Sequence, residues 1–235
     1  MFGEDTIAGK PGIPGTGSLT FSAITPVPST VDAFTVPSGY RWDPVIRWGA
    51  RQAWQGGRDR AQPAQPEQER ARRGDPADRG KPYAPTFAWN LILICGDAAT
   101  AGTYFGGWAG EVSPISCPDN VAFDSLGNLW VSTDGQPGTI GLNDGLNDGL
   151  FKVPVAGPER GRVQQFLAGP IDAETCGPVI HDKDGSVFVA VQHPGEDGSW
   201  VAQRSRFPDY VSSTGTAAPG DFAGPRPTVV QVTQG

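Results

Sequence analysis

Apolar positions along this chain come in short runs, separated by glycine, proline and small polar residues. The clearest unit begins at Ser116-Cys117-Pro118-Asp119-Asn120. Val121 and Phe123 alternate with Ala122, Ser125 to Asn128 has turn chemistry, and Leu129-Trp130-Val131 is a short apolar run. The pattern predicts strand, turn and strand. The same grammar returns at Cys176-Gly177-Pro178-Val179-Ile180-His181-Asp182 and Gly185-Ser186-Val187-Phe188-Val189, so that Asp182 falls on Asp124 at an offset of 58 residues. A strand-turn-strand unit that repeats without burying its own faces is the sequence form of a β-propeller blade, here with longer loops than the usual period of roughly 40 to 50 residues.

The remaining runs fit the same class. Phe87 to Cys95 is the most apolar stretch, and its length, β-branched content and stop at Gly96 predict a buried strand. Further strands are predicted at Leu150–Val153, Arg162–Leu167, Trp200–Arg206 and Thr228–Val232, the last pairing with an N-terminal strand to close the ring. Phe21–Ile24 and Val31–Val36 read as short extended pieces between prolines, and Tyr40–Trp48 as a strand broken at Pro44. The fold expected is all-β: an incomplete β-propeller of C-terminal blades plus an N-terminal closing strand. Unpaired blade edges would favour self-association.

Composition divides the chain further. Residues 1–20 read as a flexible arm, 21–49 as N-terminal strands, 50–82 as a low-complexity disordered linker and 83–235 as the C-terminal blades. Between Arg51 and Lys81 seven arginines mix with Pro, Gln, Gly and acidic residues, and burial cannot repay the ordering entropy there. A basic tail, a solvated linker and an internal deletion with a local frameshift are the readings open for it. The net charge of −7 argues against a nucleic-acid surface and is compatible with cation binding. No apolar run reaches membrane length, and the start at Met1-Phe2-Gly3-Glu4-Asp5 lacks the form of a targeting segment, which leaves localisation open. Cys95, Cys117 and Cys176 lack zinc spacing and read as buried small hydrophobes.

In a propeller, loops from several blades converge on the mouth of a channel. Asp119 and Asn120, read as lying just before a strand, offer hard oxygen ligands to such a mouth, or else form an Asx turn after Pro118. Glu174 would face the same channel, or stay an exposed loop residue. His193 is placed to bind metal or phosphate or to act as a general acid, or is a satisfied turn residue before Pro194. The duplicated Leu-Asn-Asp-Gly at 142–149 suggests either a calcium loop or a slipped insertion, and its spacing does not match an EF-hand.

Ser113 to Asp124, Gly127-Asn128-Leu129-Trp130, Glu174-Thr175-Cys176-Gly177-Pro178 and Val191-Gln192-His193-Pro194-Gly195-Glu196 resemble the C-terminal part of PhoX-type alkaline phosphatases. The resemblance is dense from Thr86 to Val232 and visible again at Thr35–Tyr40 and Ile46–Gly49. It implies a bacterial propeller phosphatase, usually exported, that hydrolyses phosphate monoesters with Ca²⁺ and Fe³⁺ in the channel. It makes Asp119, Asn120 and Glu174 metal-ligand candidates and His193 the catalytic candidate. The family's earlier signature, which supplies iron and calcium ligands, has no counterpart here. The resemblance therefore implies a truncated or internally deleted member, weakly active or inactive alone; the alternative, of another class, is a non-catalytic β-propeller-like module binding calcium or a protein partner.

Overall fold

In the computed structural model, residues 19–47, 90–136, 145–199, 201–210 and 224–235 are described. Residues 1–18, nearly all of the arm, the whole 50–82 linker, Trp48, residues 87–89, the first copy of the duplication through Asp144, and Trp200 lie outside them. All strands belong to the unit of residues 1–50 and 92–235; residues 51–91 are divided from it, and only Asn90 and Leu91 among them are described. The described residues contain no α-helix, so none is long and apolar enough to cross a membrane.

The strands are β1 (Tyr40–Arg47), β2 (Leu93–Ile94), β3 (Tyr104–Phe105), β4 (Pro118–Phe123), β5 (Leu129–Thr133), β6 (Gly149–Val153), β7 (Gln164–Ala168), β8 (Glu174–His181), β9 (Ser186–Gln192) and β10 (Thr228–Gln234). They form two four-stranded antiparallel sheets, β4-β5-β6-β7 and β1-β10-β9-β8, and a two-stranded piece, β2-β3. The pairing of last with N-terminal strand expected from the sequence is present, because β1 takes the free edge of β10. Pro44 does not break β1; the ladder shifts register between Pro44 and Ile46 and continues, the bulge being where a residue without an N–H is tolerated.

Strand alternation decides which side chains meet. Trp130, Leu150 and Phe166 of the first sheet pack with Val187, Val189, Val191, Val230 and Val232 of the second in one core. Trp130 and Phe166 meet edge to face, with ring centroids 5.3 Å apart. The opposite face of the first sheet buries Val131, Phe151 and Val153 beneath Phe105, Ile115 and Val112.

The strand-turn-strand repeat is real, but its two aspartates do different work. The carboxylate of Asp124 accepts hydrogen bonds from the N–H groups of Leu126 and Asn128, from Asn128 Nδ2 and from Trp130 Nε1, at 2.8–3.1 Å. It pins its own turn. Asp182 instead accepts from Ser125 N and Oγ, the latter at 2.7 Å, and so ties the second sheet to the turn of the first.

The N-terminal pieces at 21–24 and 31–36 are extended but make single bonds rather than ladders. Ile24 N donates to Gln165 O, and Thr35 and Ala168 exchange both backbone bonds along the outer edge of β7. Asn147, in the second Leu-Asn-Asp-Gly copy, donates from Nδ2 to Val31 O and Gly169 O. That copy is a structural junction.

Two strand expectations fail. Among the described residues the apolar run before Gly96 yields only the two residues of β2, and Leu91 and Ile94 stay more than 40% exposed. Its ladder partner β3 is equally short, and only one side of it reaches the core. Residues 201–206 form no strand, since Ser199 and Ala202 close a tight turn and Asp32 takes Arg206 N and Ser205 Oγ.

Asp124→Ala is expected to cost about 2–3 kcal/mol, the range for hydrogen bonds to a charged group. Burial pushes the Asp124 carboxyl up, but the Asn128 and Trp130 hydrogen bonds and the Lys152 charge outweigh it and hold it below the usual range. As pH falls below about 4 the unfolded chain takes up this proton first. Stability is therefore lost in that window, and Asp124→Asn should flatten the acid limb of a pH series of thermal melts.

Candidate functional site

Both sheets open with a bulged strand, and the bulges are copies of each other. The β4–β5 ladder shifts register between Pro118 and Val121, and the β8–β9 ladder between Cys176 and Val179. These positions are again 58 residues apart. Bulges re-aim side chains and interrupt pairing, and the candidate residues sit in and beside these two.

Asp119 and Asn120 therefore lie inside β4, not before it, because pairing begins at Pro118↔Thr133 and resumes after the bulge. Asn120 Oδ1 accepts the N–H of Gly177 at 2.9 Å, clasping one bulge to the other. This bond crosses between the sheets and is not the local Asx turn. Asp119 is exposed.

Glu174 opens β8 directly opposite Gln192 at the end of β9. It is buried, 8% exposed, and not a loop residue. Gln192 hydrogen-bonds both Glu174 and Cys176. His193 follows immediately, at φ 28°, a strained value for a non-glycine residue. Its Nε2 lies 3.3 Å from Oε2 of Glu174, and its Nδ1 lies 3.0 Å from Oε2 of Glu196 but out of hydrogen-bond alignment. Structure thus brings Glu174 and His193 together, and holds the imidazole between two carboxylates.

Across the clasp, Cys117 is also at positive φ, 46°. Its carbonyl accepts Asp134 N, and its Sγ lies 3.5 Å from Gly135 O. Asp148 fixes this turn from below by accepting Gly135 N and Gln136 N at 3.0 and 2.9 Å. Burial raises the Asp148 carboxyl, and bonds from Thr133, Gln136 and Gly135 only partly offset it.

The field of the site is acidic. Burial first, and then the charge of Asp134, push the Glu174 carboxyl up against the lowering effect of His193 and Gln192. Burial likewise raises the Cys176 thiol, opposed by the Gln192 hydrogen bond and reinforced by Glu174, Asp119 and Asp134. All three cysteines are free thiols and, contrary to the sequence expectation, none is fully buried. Cys95 packs partly buried against the core beside the short β2 piece, and Cys117 and Cys176 border the site.

Sequence reasoning passed over Asp134, Gln192 and Glu196 as site members. The repeat carries the missing signal, because the 58-residue offset lays Asp134 on Gln192, the two residues that leave the second strands of their sheets. Among the described residues, no three His, Cys, Asp or Glu side chains converge as a metal site.

The family model described as Alkaline phosphatase PhoX matches residues 72–195. Among solved structures, the chain is similar to Pseudomonas fluorescens PhoX in complex with vanadate, a transition state analogue, at 28% identity and a TM-score of 0.45. The match covers 61% of this chain and 23% of that one, so this chain spans about a quarter of that relative's length. No curated protein matches it.

Glu174→Gln is expected to raise the melting temperature at pH 7–8, with the gain vanishing near pH 4. A carboxyl whose folded pKa is raised favours the fold fully only below its unfolded value, about 4.3, and loses that contribution as pH rises through the folded one. Thermal melts of both proteins across pH 4–8 would read it; an unchanged or lower melting temperature at pH 8 would contradict it.

Proposed function

The chain belongs to the PhoX alkaline phosphatase family, and on that premise we propose that its site derives from phosphate monoester hydrolysis, with His193 handling the proton of the leaving oxygen. The observation that carries the reading is the His193–Glu174 pair, held at strained φ beside the clasped bulges. Glu174 fixes one ring nitrogen. The other is buried and makes no hydrogen bond, so it would reach a substrate only once the side chain of Glu196, 55% exposed, moves off it. A proton on that nitrogen would pass to the leaving alkoxide, the usual work of a positioned imidazole. In this reading the two large sheets are two blades of an incomplete propeller, β1 closing the second, and Asp119 stands exposed at the mouth.

The calcium and iron that the family resemblance implies would neutralise phosphoryl oxygens and orient the attacking oxygen when bound. The donors among the described residues do not fit such a cluster. Asn120 has its amide oxygen committed to Gly177, Glu174 is engaged by His193 and Gln192, and no three-donor group converges. Asp119, Asn120 and Glu174 are thus proposed as part of a ligand set that needs further residues. Weak or absent turnover by this chain alone follows. The acidic field from Asp119, Asp134 and Glu174 favours, as the second reading, a non-catalytic β module that binds calcium or a protein partner.

Hydrolysis of an aryl phosphate by the purified chain, with and without added Ca²⁺ and iron, separates the two. Turnover at least about 100-fold lower in His193→Ala, the low end for a general acid, supports the catalytic reading. Turnover unaffected by both His193→Ala and Glu174→Gln sinks it, and no turnover under any condition leaves an inactive fragment or the binding module, which Ca²⁺ binding by the purified chain then tells apart.

A further inference from the structure

The turn that leaves β9 carries both His193 and Glu196, and residues 170–173 lead into β8 and Glu174. Two ties join these stretches. Gly195 N donates to Ile171 O at 2.8 Å, and Arg204 spans two carboxylates, with Nε 2.9 Å from Oδ2 of Asp172 and Nη1 3.7 Å from Oδ2 of Asp197. Asp172 stands two residues before Glu174, and Asp197 directly follows Glu196. One guanidinium therefore bridges the two stretches that carry the candidate pair. We propose that Arg204 is a positioning residue, holding the turn that bears His193 against the strand that bears Glu174. Its use in turnover rests on the phosphatase reading; the tie itself does not.

The base of Arg204 is fixed independently. Asp32 accepts Ser205 Oγ and Arg206 N, both at 2.7 Å. A Cβ at Gly195 would lie 2.7 Å from Ser205 N, so the turn packs directly on the backbone beside Arg204, at a φ of 71° that glycine adopts without strain.

Charge makes the tie strong. Asp172 sits at φ 53° with a side chain only 6% exposed, and its Oδ2 makes no hydrogen bond in spite of the close approach of Arg204. Attraction between the charges holds it, and a buried charge that loses its partner is strongly destabilising. Asp32, Glu196 and Asp197 add their own negative charges around Asp172. Arg204 is the cation set among them, and its planar fork can serve two carboxylates at once. With Arg204 removed, the acids repel one another across the gap it spans. That repulsion drives the His193 turn away from the start of β8.

Carbethoxylation by diethyl pyrocarbonate, followed site by site by peptide mass spectrometry, tests this on the whole chain and needs no turnover. The sequence has two histidines. His181, 58% exposed at the opposite end of β8, is the reference for His193, 38% exposed. In Arg204→Met the ratio of the His193 rate to the His181 rate is expected to rise at least about fivefold, the protection one hydrogen bond gives. Arg204→Lys, which keeps a cation beside Asp172, should restore most of that protection. Asp197→Lys changes a side chain 71% exposed and sets like charge against Arg204; it should raise the ratio too, and keeps the test decisive if Arg204→Met does not fold. An unchanged ratio in folded Arg204→Met or in Asp197→Lys overturns the proposal. So does equal acceleration of both histidines, the mark of a general loosening. Absent phosphatase turnover, by contrast, counts against the phosphatase reading and leaves the positioning role to be decided by these rates.

Discussion

Two carboxylates, Asp124 and Asp182, govern how the large sheets stand against each other. Asp124 spends its oxygens inside one turn, where it also receives the indole N–H of Trp130, a side chain with no exposed surface. Asp182 reaches out and takes the backbone and hydroxyl of Ser125 in that same turn. Without the first, the turn that presents Ser125 is not formed, and without the second the sheets are held by apolar contact, which is non-directional. The polar pair fixes the register at which the apolar faces meet, and the distance between the two bulges follows from it.

The candidate site inherits that registration. Asn120 can reach Gly177 because both first strands bulge at the same level, and the bulges leave unpaired backbone that the clasp satisfies. Around it the protein tolerates features that stability alone would remove: a buried glutamate with a raised carboxyl, and non-glycine residues at positive φ in Cys117 and His193. Such costs persist where surrounding structure over-determines them. Here the supports are identifiable, namely Asp148 beneath the Gly135 turn and Gln192 across from Glu174.

Much of this was legible in the sequence, for a physical reason. Period-two alternation and turn residues are local properties, so Val187, Val189 and Val191, or Leu129-Trp130-Val131, announce their strands. The repeat is legible because it is a comparison of the chain with itself. What failed depends on partners. The run ending at Cys95 has every local mark of a buried strand but lacks a long neighbour, and residues 201–206 lose their backbone bonds to Asp32. Asn120 shows the same limit: its residue type offers an oxygen, while the N–H which that oxygen accepts lies 57 positions away.

Pairing β1 with β10 joins residues nearly two hundred positions apart, and the stretch from Leu19 to Thr35 is stitched along the first sheet before β1 begins. Contacts so distant along the chain are slow to form, since loop closure must be met before they reward it. During synthesis β1 therefore cannot join this edge until β10 has left the ribosome. Through all that time β1 is an unpaired ribbon, and its safety rests on Arg41, Asp43 and Pro44, two charges and a residue with no N–H to offer, of the kind that keep exposed edges from recruiting one another.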